Sequence, residues 1–219
     1  MYDPHELMET PIYGSAEAAR YLRIPYQTLR YWTQVNPIIK LASVSPPRLS
    51  FMNLMECHML SFLRSNLRIK IPRVRTALQT LARIHPSRHP LVSNRFETDE
   101  IDLFVRQYGD VVVNLCRGGQ IMLKEVIGTH LQRITVDSTG VYRFFPFIEE
   151  RKESEPKSIE ISPSVGFGKP VIAGTGISTA VIAARFHARE SIDELSREYG
   201  RPIKEIEEAI RWESRTIAE

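Results

Sequence analysis

The sequence predicts a mainly α protein with small β elements, an α+β chain built in parts. Three observations carry that expectation. Apolar residues recur at helical spacing near both ends, as Leu29 with Trp32 and as Ile203, Ile206 and Ile210. Short β-branched and aromatic runs bounded by turn residues lie between them, as in Ile134–Val136 and Val141–Phe145. Glu149 to Glu160 carries eight charges and one apolar residue, Ile159, which reads as a solvated boundary. The expected divisions are a head over 1–92, a small α/β unit over 93–148, a charged linker over 149–160 and a three-helix domain over 161–219.

At 219 residues the chain has room for two or three small domains. It holds no run of about 20 apolar residues, and Met1–Pro11 has acids and prolines where a signal peptide needs an apolar core. A cytoplasmic protein with no membrane contact is expected. Cys57 and Cys116 are isolated, as suits buried small hydrophobes in a reducing compartment. No nucleophile–base pair, carboxylate dyad or metal cluster is apparent, so neither catalysis nor a cofactor or metal is expected.

The net charge of +3 conceals an asymmetry. From Thr10 to Pro90 there are twelve Lys or Arg against only Glu17 and Glu56, a balance of +10. From Leu91 onward, 17 basic and 21 acidic residues give −4. A basic head on a mildly acidic body points to a polyanion partner for the head alone.

In the head, Ser15 is placed to cap a helix over Ala16–Leu22, with Glu17 in its first turn. Arg23-Ile24 makes a tight turn, and Pro25 opens a second helix, Tyr26–Trp32, that turns Leu29 and Trp32 inward. Two short helices so joined form a helix-turn-helix, whose second helix can enter a major groove. The string Thr28-Leu29-Arg30-Tyr31-Trp32 resembles the recognition helix of MerR-type regulators. Ser45-Pro46-Pro47-Arg48-Leu49-Ser50-Phe51 is similar to their wing, and Leu67–Arg75 to their turn into a fourth helix over Pro72–Arg83. Between these, Leu54, Cys57, Leu60 and Phe62-Leu63 form an apolar stripe on a helix from Asn53 to Arg64. The long MerR dimerisation helix is absent. His85 and His89 are four apart, but Pro86 and Pro90 deny them a helix and no acid is near in sequence, so they read as linker.

The middle unit offers strands at Asp102–Arg106 and Val111–Leu115, a helix over Gln120–Leu131, and a hairpin turning at Asp137-Ser138-Thr139-Gly140. The last part begins with Ile161–Ser178, where Gly, Pro and β-branched residues alternate too densely for a helix. Gly168-Lys169 is followed by Pro170, not by the Ser or Thr that a phosphate-binding loop needs. Helices follow at Thr179–His187, after the Ser191–Glu194 capping box, and after Pro202, with Gly200 ending the middle one. Ile192, Leu195 and Tyr199 form one inward stripe, and Ile203, Ile206 and Ile210 the other. The final helix presents Glu205, Glu207, Glu208 and Glu213 against Lys204, Arg211 and Arg215, which disfavours contact with phosphates.

Pro163, Gly168-Lys169-Pro170, Gly174-Thr175 and Ile177 resemble a small bacterial domain of unknown function found in VapB-type antitoxins. Gly176 stands where that family usually has Arg. The resemblance implies a homeodomain-like three-helix fold and a PIN-like ribonuclease toxin as partner.

The expected function is therefore a type II antitoxin that neutralises such a toxin and, as a homodimer, binds double-stranded operator DNA to repress its own operon. The rival expectation is a one-component MerR-like regulator whose last domain dimerises or senses a ligand. Expected DNA contacts are Gln27, Thr28, Arg30 and Tyr31 on the second helix, Arg48 on the wing, and Arg20 and Arg23 near phosphates. Arg211 and Arg215, four apart on the last helix, are the first candidates to meet the toxin's carboxylates, with Lys169 and Arg185 behind them.

Overall fold

Helix α1 (Pro4–Glu9) opens the chain, capped by Asp3, whose Oδ1 accepts from the His5 N–H at 2.9 Å. A computed structural model describes residues 3–65, 70–84, 86–92, 132–136, 142–148 and 156–214. The described chain is mainly helical with small sheets, an α+β architecture. It divides into two units: Tyr13–Gln132, and Met1–Ile12 together with Arg133–Glu219.

In the Tyr13–Gln132 unit, β1 (Tyr13–Gly14) runs straight into α2 (Ser15–Leu22). Ser15 is the first helical residue here and not its cap: Gly14 takes the cap position, and the Ser15 hydroxyl accepts from Gln34 Nε2 at 3.0 Å. Arg23 ends α2 in the left-handed conformation (φ 56), and its N–H reaches back to the carbonyls of Ala19 and Arg20. Pro25 then precedes α3 (Tyr26–Arg30), which continues as a π-helical turn over Tyr31–Val35. Leu29 and Trp32 are buried, as their spacing required.

Strands β2 (Ser43–Val44) and β3 (Pro47–Leu49) make a hairpin, with the Ser45–Pro46 peptide cis. β3 lies between β1 and β2 and pairs antiparallel with both. Helix α4 (Phe51–Ser65) follows, then α5 (Ile71–Ile84). The sequence shows one apolar stripe on α4, yet every residue from Asn53 to Leu63 is buried. A helix covered on all faces forms the centre of its unit. Its polar members must then find partners inside. His89, read from sequence as linker without a nearby acid, supplies one: it is buried, and its Nδ1 lies 2.8 Å from Glu56 Oε2. The two are 33 positions apart, and so no local pattern could pair them.

In the second unit, β4 (Ile134–Val136) and β5 (Tyr142–Phe144) form the antiparallel hairpin expected from sequence. β6 (Ile159–Glu160) pairs with β7 (Val171–Ile172). Phe144 and Ile161 exchange backbone hydrogen bonds of 2.9 and 2.8 Å, which joins the hairpin to the lead-in of the last part. Ile159 and Glu160, placed by sequence in a solvated linker, are thus a buried strand: backbone pairing and the apolar Ile159 outweigh the surrounding charge. The expected strands at 102–106 and 111–115, the helix over 120–131, Cys116 and linker residues 149–155 lie outside the described residues.

Helices α6 (Thr179–His187), α7 (Ile192–Tyr199) and α8 (Ile203–Ser214) complete the unit. Ile182, Leu195, Ile206, Ala209 and Trp212 form their buried core, while Ile192 and Tyr199 are half-buried. Ile203, expected in the inward stripe, is instead 46% exposed at the first position of α8. The capping box is complete: Ser191 Oγ accepts from the Glu194 N–H at 3.2 Å, and Glu194 Oε2 accepts from the Ser191 N–H at 2.9 Å. Gly200 ends α7 at φ +62 with open space around its Cβ position. Gly200→Ala is therefore expected to cost about 1 kcal/mol through backbone strain alone. Thermal unfolding checks this, and an unchanged midpoint would show that the turn relaxes freely.

Candidate nucleic-acid and protein interfaces

Two surfaces carry the residues singled out from sequence, one in each unit. In the Tyr13–Gln132 unit, burial of Leu29 and Trp32 turns the opposite side of α3 outward. Tyr26, Gln27, Arg30 and Tyr31 are all exposed, and they form two i,i+4 pairs that share a face. Thr28 is half-buried beside them. The Tyr31 hydroxyl accepts from Asn36 Nδ2 at 3.0 Å, which fixes the ring across the π-helical turn. Tyr26, 44% exposed, was absent from the sequence candidates, although its i,i+4 relation to Arg30 could have pointed to it.

Arg48 is exposed on β3, opposite Gly14 on one side and Ser43 on the other. The pairing with Gly14 sets Arg48 beside the entry to α2, so the small sheet fixes the hairpin against the helix pair. Arg20 is exposed, with its guanidinium 5.1 Å from the Tyr21 ring centroid. Arg23 is half-buried in its left-handed cap, with its backbone engaged.

Two supports were not foreseen. Arg75 on α5 donates to the carbonyls of Pro37 and Asn36 at 2.8 and 3.0 Å and to Asn36 Oδ1 at 2.7 Å. It therefore braces the segment after α3, a task that its place in a basic string does not reveal. Asn53, fully buried on α4, accepts from the N–H groups of Ala42 and Ser50 at 2.9 and 3.2 Å and donates to Lys40 O at 2.9 Å. The segment leading into the hairpin is thereby tied to the central helix.

In the second unit, the Gly-Lys-Pro and Gly-Thr residues build the turn that leads into α6. Pro170 O accepts from the Thr179 N–H at 3.2 Å. Gly174, at φ +70, donates its N–H to Glu160 Oε2 at 3.0 Å, and Thr175 Oγ1 donates to Ile172 O at 2.7 Å. Glu160 is buried, with Arg143 Nε 3.6 Å from its other oxygen. A Cβ added at Gly176 meets nothing within 4 Å, which leaves room for the larger residue of the resembling family.

The four cations expected to meet a toxin fall in different settings. Lys169 is exposed, on extended backbone after Gly168. Arg185 is held inside the unit: Nε donates to Glu190 Oε1 at 2.8 Å, and Nη1 to Glu198 Oε1 at 2.7 Å and to the Tyr199 hydroxyl at 3.1 Å. The bonds to Glu198, Glu190 and Tyr199 raise its already high pKa further. It ties α6 to α7. Arg211 is exposed on α8, and Arg215 lies outside the described residues.

The acidic face expected on the last helix is smaller than its sequence implies. Glu208 is buried, Glu213 is half-buried and accepts from the Thr179 hydroxyl, and Glu205 pairs with Arg201 at 2.8 Å. These acids serve helix packing, which a residue count cannot distinguish from display. Of the charges named from sequence on α8, the exposed ones among the described residues are Lys204, Glu207 and Arg211.

Among the described residues no group of three or more His, Cys, Asp or Glu could hold a metal ion, and no helix is long and apolar enough to cross a membrane. The family described as a protein of unknown function (DUF433) matches residues 159–212. Over 229 aligned residues the chain is 25% identical to "Putative antitoxin VapB45" of Mycobacterium tuberculosis, covering 92% of this chain and 93% of that one. It is 24% identical to the uncharacterised protein Rv2308 of the same organism, covering 94% and 91%. The crystal structure of Rv2018 from Mycobacterium tuberculosis is similar with a TM-score of 0.71 and 26% identity, over 92% of this chain and 98% of that one. The chain thus has end-to-end, distant similarity to a VapB-type antitoxin and to a solved mycobacterial structure.

Proposed function

We propose that the protein is the antitoxin of a type II pair, binding a PIN-like ribonuclease toxin through its second unit and operator DNA through its first. The observation that carries this reading is the extent of the antitoxin similarity, which spans both units and not only the small domain at 159–212. In the first unit, α2, the turn at Arg23-Ile24 and α3 are read as a helix-turn-helix, and the β2–β3 hairpin as a MerR-like wing. Residues 179–214 are read as the homeodomain-like helices of the antitoxin domain.

The chemistry follows from placement. Gln27, Arg30 and Tyr31 reach base edges while Arg20, Arg23 and Arg48 meet phosphates, and the +10 balance of Thr10–Pro90 supplies the long-range attraction. A homodimer reads two half-sites on a two-fold operator. On the toxin, clustered carboxylates that hold the catalytic metal are the natural target for a guanidinium fork, which Arg211 and Arg215 supply together with Lys169. Arg185 is the weakest of the four, because its fork is occupied by Glu190 and Glu198. The protein itself has a binding role and performs no chemistry.

The test combines growth rescue with operator binding. Co-expression with the product of the neighbouring gene should relieve that product's toxicity, and the purified protein should shift a fragment upstream of its own gene. Arg30→Ala is expected to weaken that specific complex by about 1–3 kcal/mol while leaving affinity for random DNA nearly unchanged. Equal losses on both DNAs would reassign Arg30 to phosphate contact. Absence of rescue by the wild-type protein would remove the antitoxin reading.

A further inference from the structure

Phe167 is 91% exposed, more than any other large apolar side chain among the described residues. It sits at the centre of a left-handed turn, in which Gly166, Phe167 and Gly168 have φ of +57, +54 and +75. Consecutive left-handed residues are rare, because an L side chain's Cβ crowds the following carbonyl. The two glycines avoid that crowding and Phe167 does not. The turn is nevertheless fixed on both sides. The Gly168 N–H donates to Val165 O at 3.1 Å, the Lys169 N–H donates to Gly166 O at 3.0 Å, and Pro170 is tied to Thr179. Close packing holds it as well, since a Cβ at Gly166 would come within 3.1 Å of Val171 Cγ1. The fold therefore keeps a large apolar ring in water on a backbone that penalises it. Neither burial nor local conformation accounts for a Phe there.

In sequence, the turn lies in a stretch whose charged residues are all basic. From Ile161 to Arg189 the sequence contains Lys169, Arg185 and Arg189 and no Asp or Glu. Lys169, exposed, follows the ring by two residues. A ring presented on a rigid turn loses little conformational freedom when it is buried, which is what an interface anchor requires. Single-stranded nucleic acid is a poorer match, since its binders array successive rings along a groove. We infer that Phe167 is an anchor that inserts into an apolar pocket of a protein partner, with Lys169 facing acidic groups on that pocket's rim. On the antitoxin reading, on which this inference rests, the partner is the cognate toxin.

The experiment titrates the purified full-length protein with the purified product of the neighbouring gene by calorimetry, alongside operator gel shifts and thermal melts. Phe167→Ala is expected to weaken the protein complex at least about thirty-fold, with operator affinity and thermal midpoint unchanged. Lys169→Glu should weaken it about tenfold. Phe167→Trp should retain affinity, and its added indole should shift to shorter emission wavelength as the complex forms. Toxin affinity within threefold of wild type for Phe167→Ala would overturn the anchor and leave the antitoxin reading standing. No binding by the wild-type protein would remove that reading and the anchor with it. Loss of a homodimer or of operator binding on Phe167→Ala, with toxin affinity intact, would assign the ring to a second copy or to DNA and overturn the proposal.

Discussion

Asn53→Ala is expected to destabilise the Tyr13–Gln132 unit by about 3 kcal/mol, roughly 1 kcal/mol for each hydrogen bond left unmade. The side chain is fully buried and answers three backbone groups from two segments: the N–H of Ala42, the N–H of Ser50 and the carbonyl of Lys40. Removing it leaves two donors and one acceptor that water reaches poorly, so the cost is set by desolvated groups as well as by lost bonds. Asn53→Asp should be no better tolerated. It keeps both accepted bonds but turns an oxygen toward the Lys40 carbonyl and buries a charge. Urea unfolding measures the loss, and hydrogen exchange at the Ala42 amide localises it. On the proposed reading, the effect should also reach operator binding, because the tied segment leads into the hairpin that carries Arg48. A loss below about 1 kcal/mol with Ala42 exchange unchanged would mean the segment is held by its own sheet pairing.

Asn53 also marks the limit of what the sequence discloses. The helices at Ser15–Leu22, Tyr26–Arg30, Phe51–Ser65, Thr179–His187, Ile192–Tyr199 and Ile203–Ser214 follow from local rules: apolar spacing, Pro at starts, the Ser191 box and Gly200 at an end. Exposure of Gln27, Arg30 and Tyr31 follows as well, since burying Leu29 and Trp32 leaves them the other face. Long-range choices were not legible. Whether Glu207 is displayed while Glu208 is buried depends on where α6 lies, and nothing local to α8 states that. Arg75, Asn53 and His89 read as a basic residue, a helix residue and a linker residue, yet each binds a segment distant in sequence. Phe167 was legible as part of a Gly-rich run, but its exposure was not. A left-handed conformation at a Phe between glycines cannot be told from sequence, because the glycines alone would satisfy the turn.

The buried Glu56–His89 pair should set both the second large stability loss and a pH slope of defined sign. Glu56 is enclosed on α4, with its Oε2 2.8 Å from His89 Nδ1 and with Asn53 and the Leu91 backbone close enough to favour its charged form. Burial nonetheless dominates and holds the carboxyl above the usual carboxylate range, while those partners pull it down. His89→Ala is expected to cost about 3 kcal/mol, because it strands a buried acid and loosens the segment whose next residues, Leu91 and Val92, are also buried. Glu56→Gln should cost far less, since an amide keeps the shape and some of the bonds without the charge. The sign of the pH dependence follows from the raised folded value. The folded state binds this proton more tightly than the unfolded state, so the group's contribution is complete below the ordinary carboxylate pKa of about 4.3. It is lost progressively as pH rises from there through the raised folded value. Wild-type stability measured against Glu56→Gln should therefore fall as pH is taken upward from about 4. Parallel thermal melts of the two proteins across that range provide the measurement. A difference that instead grows with pH would show that pairing with a charged His89 outweighs burial and holds Glu56 ionised in the folded protein.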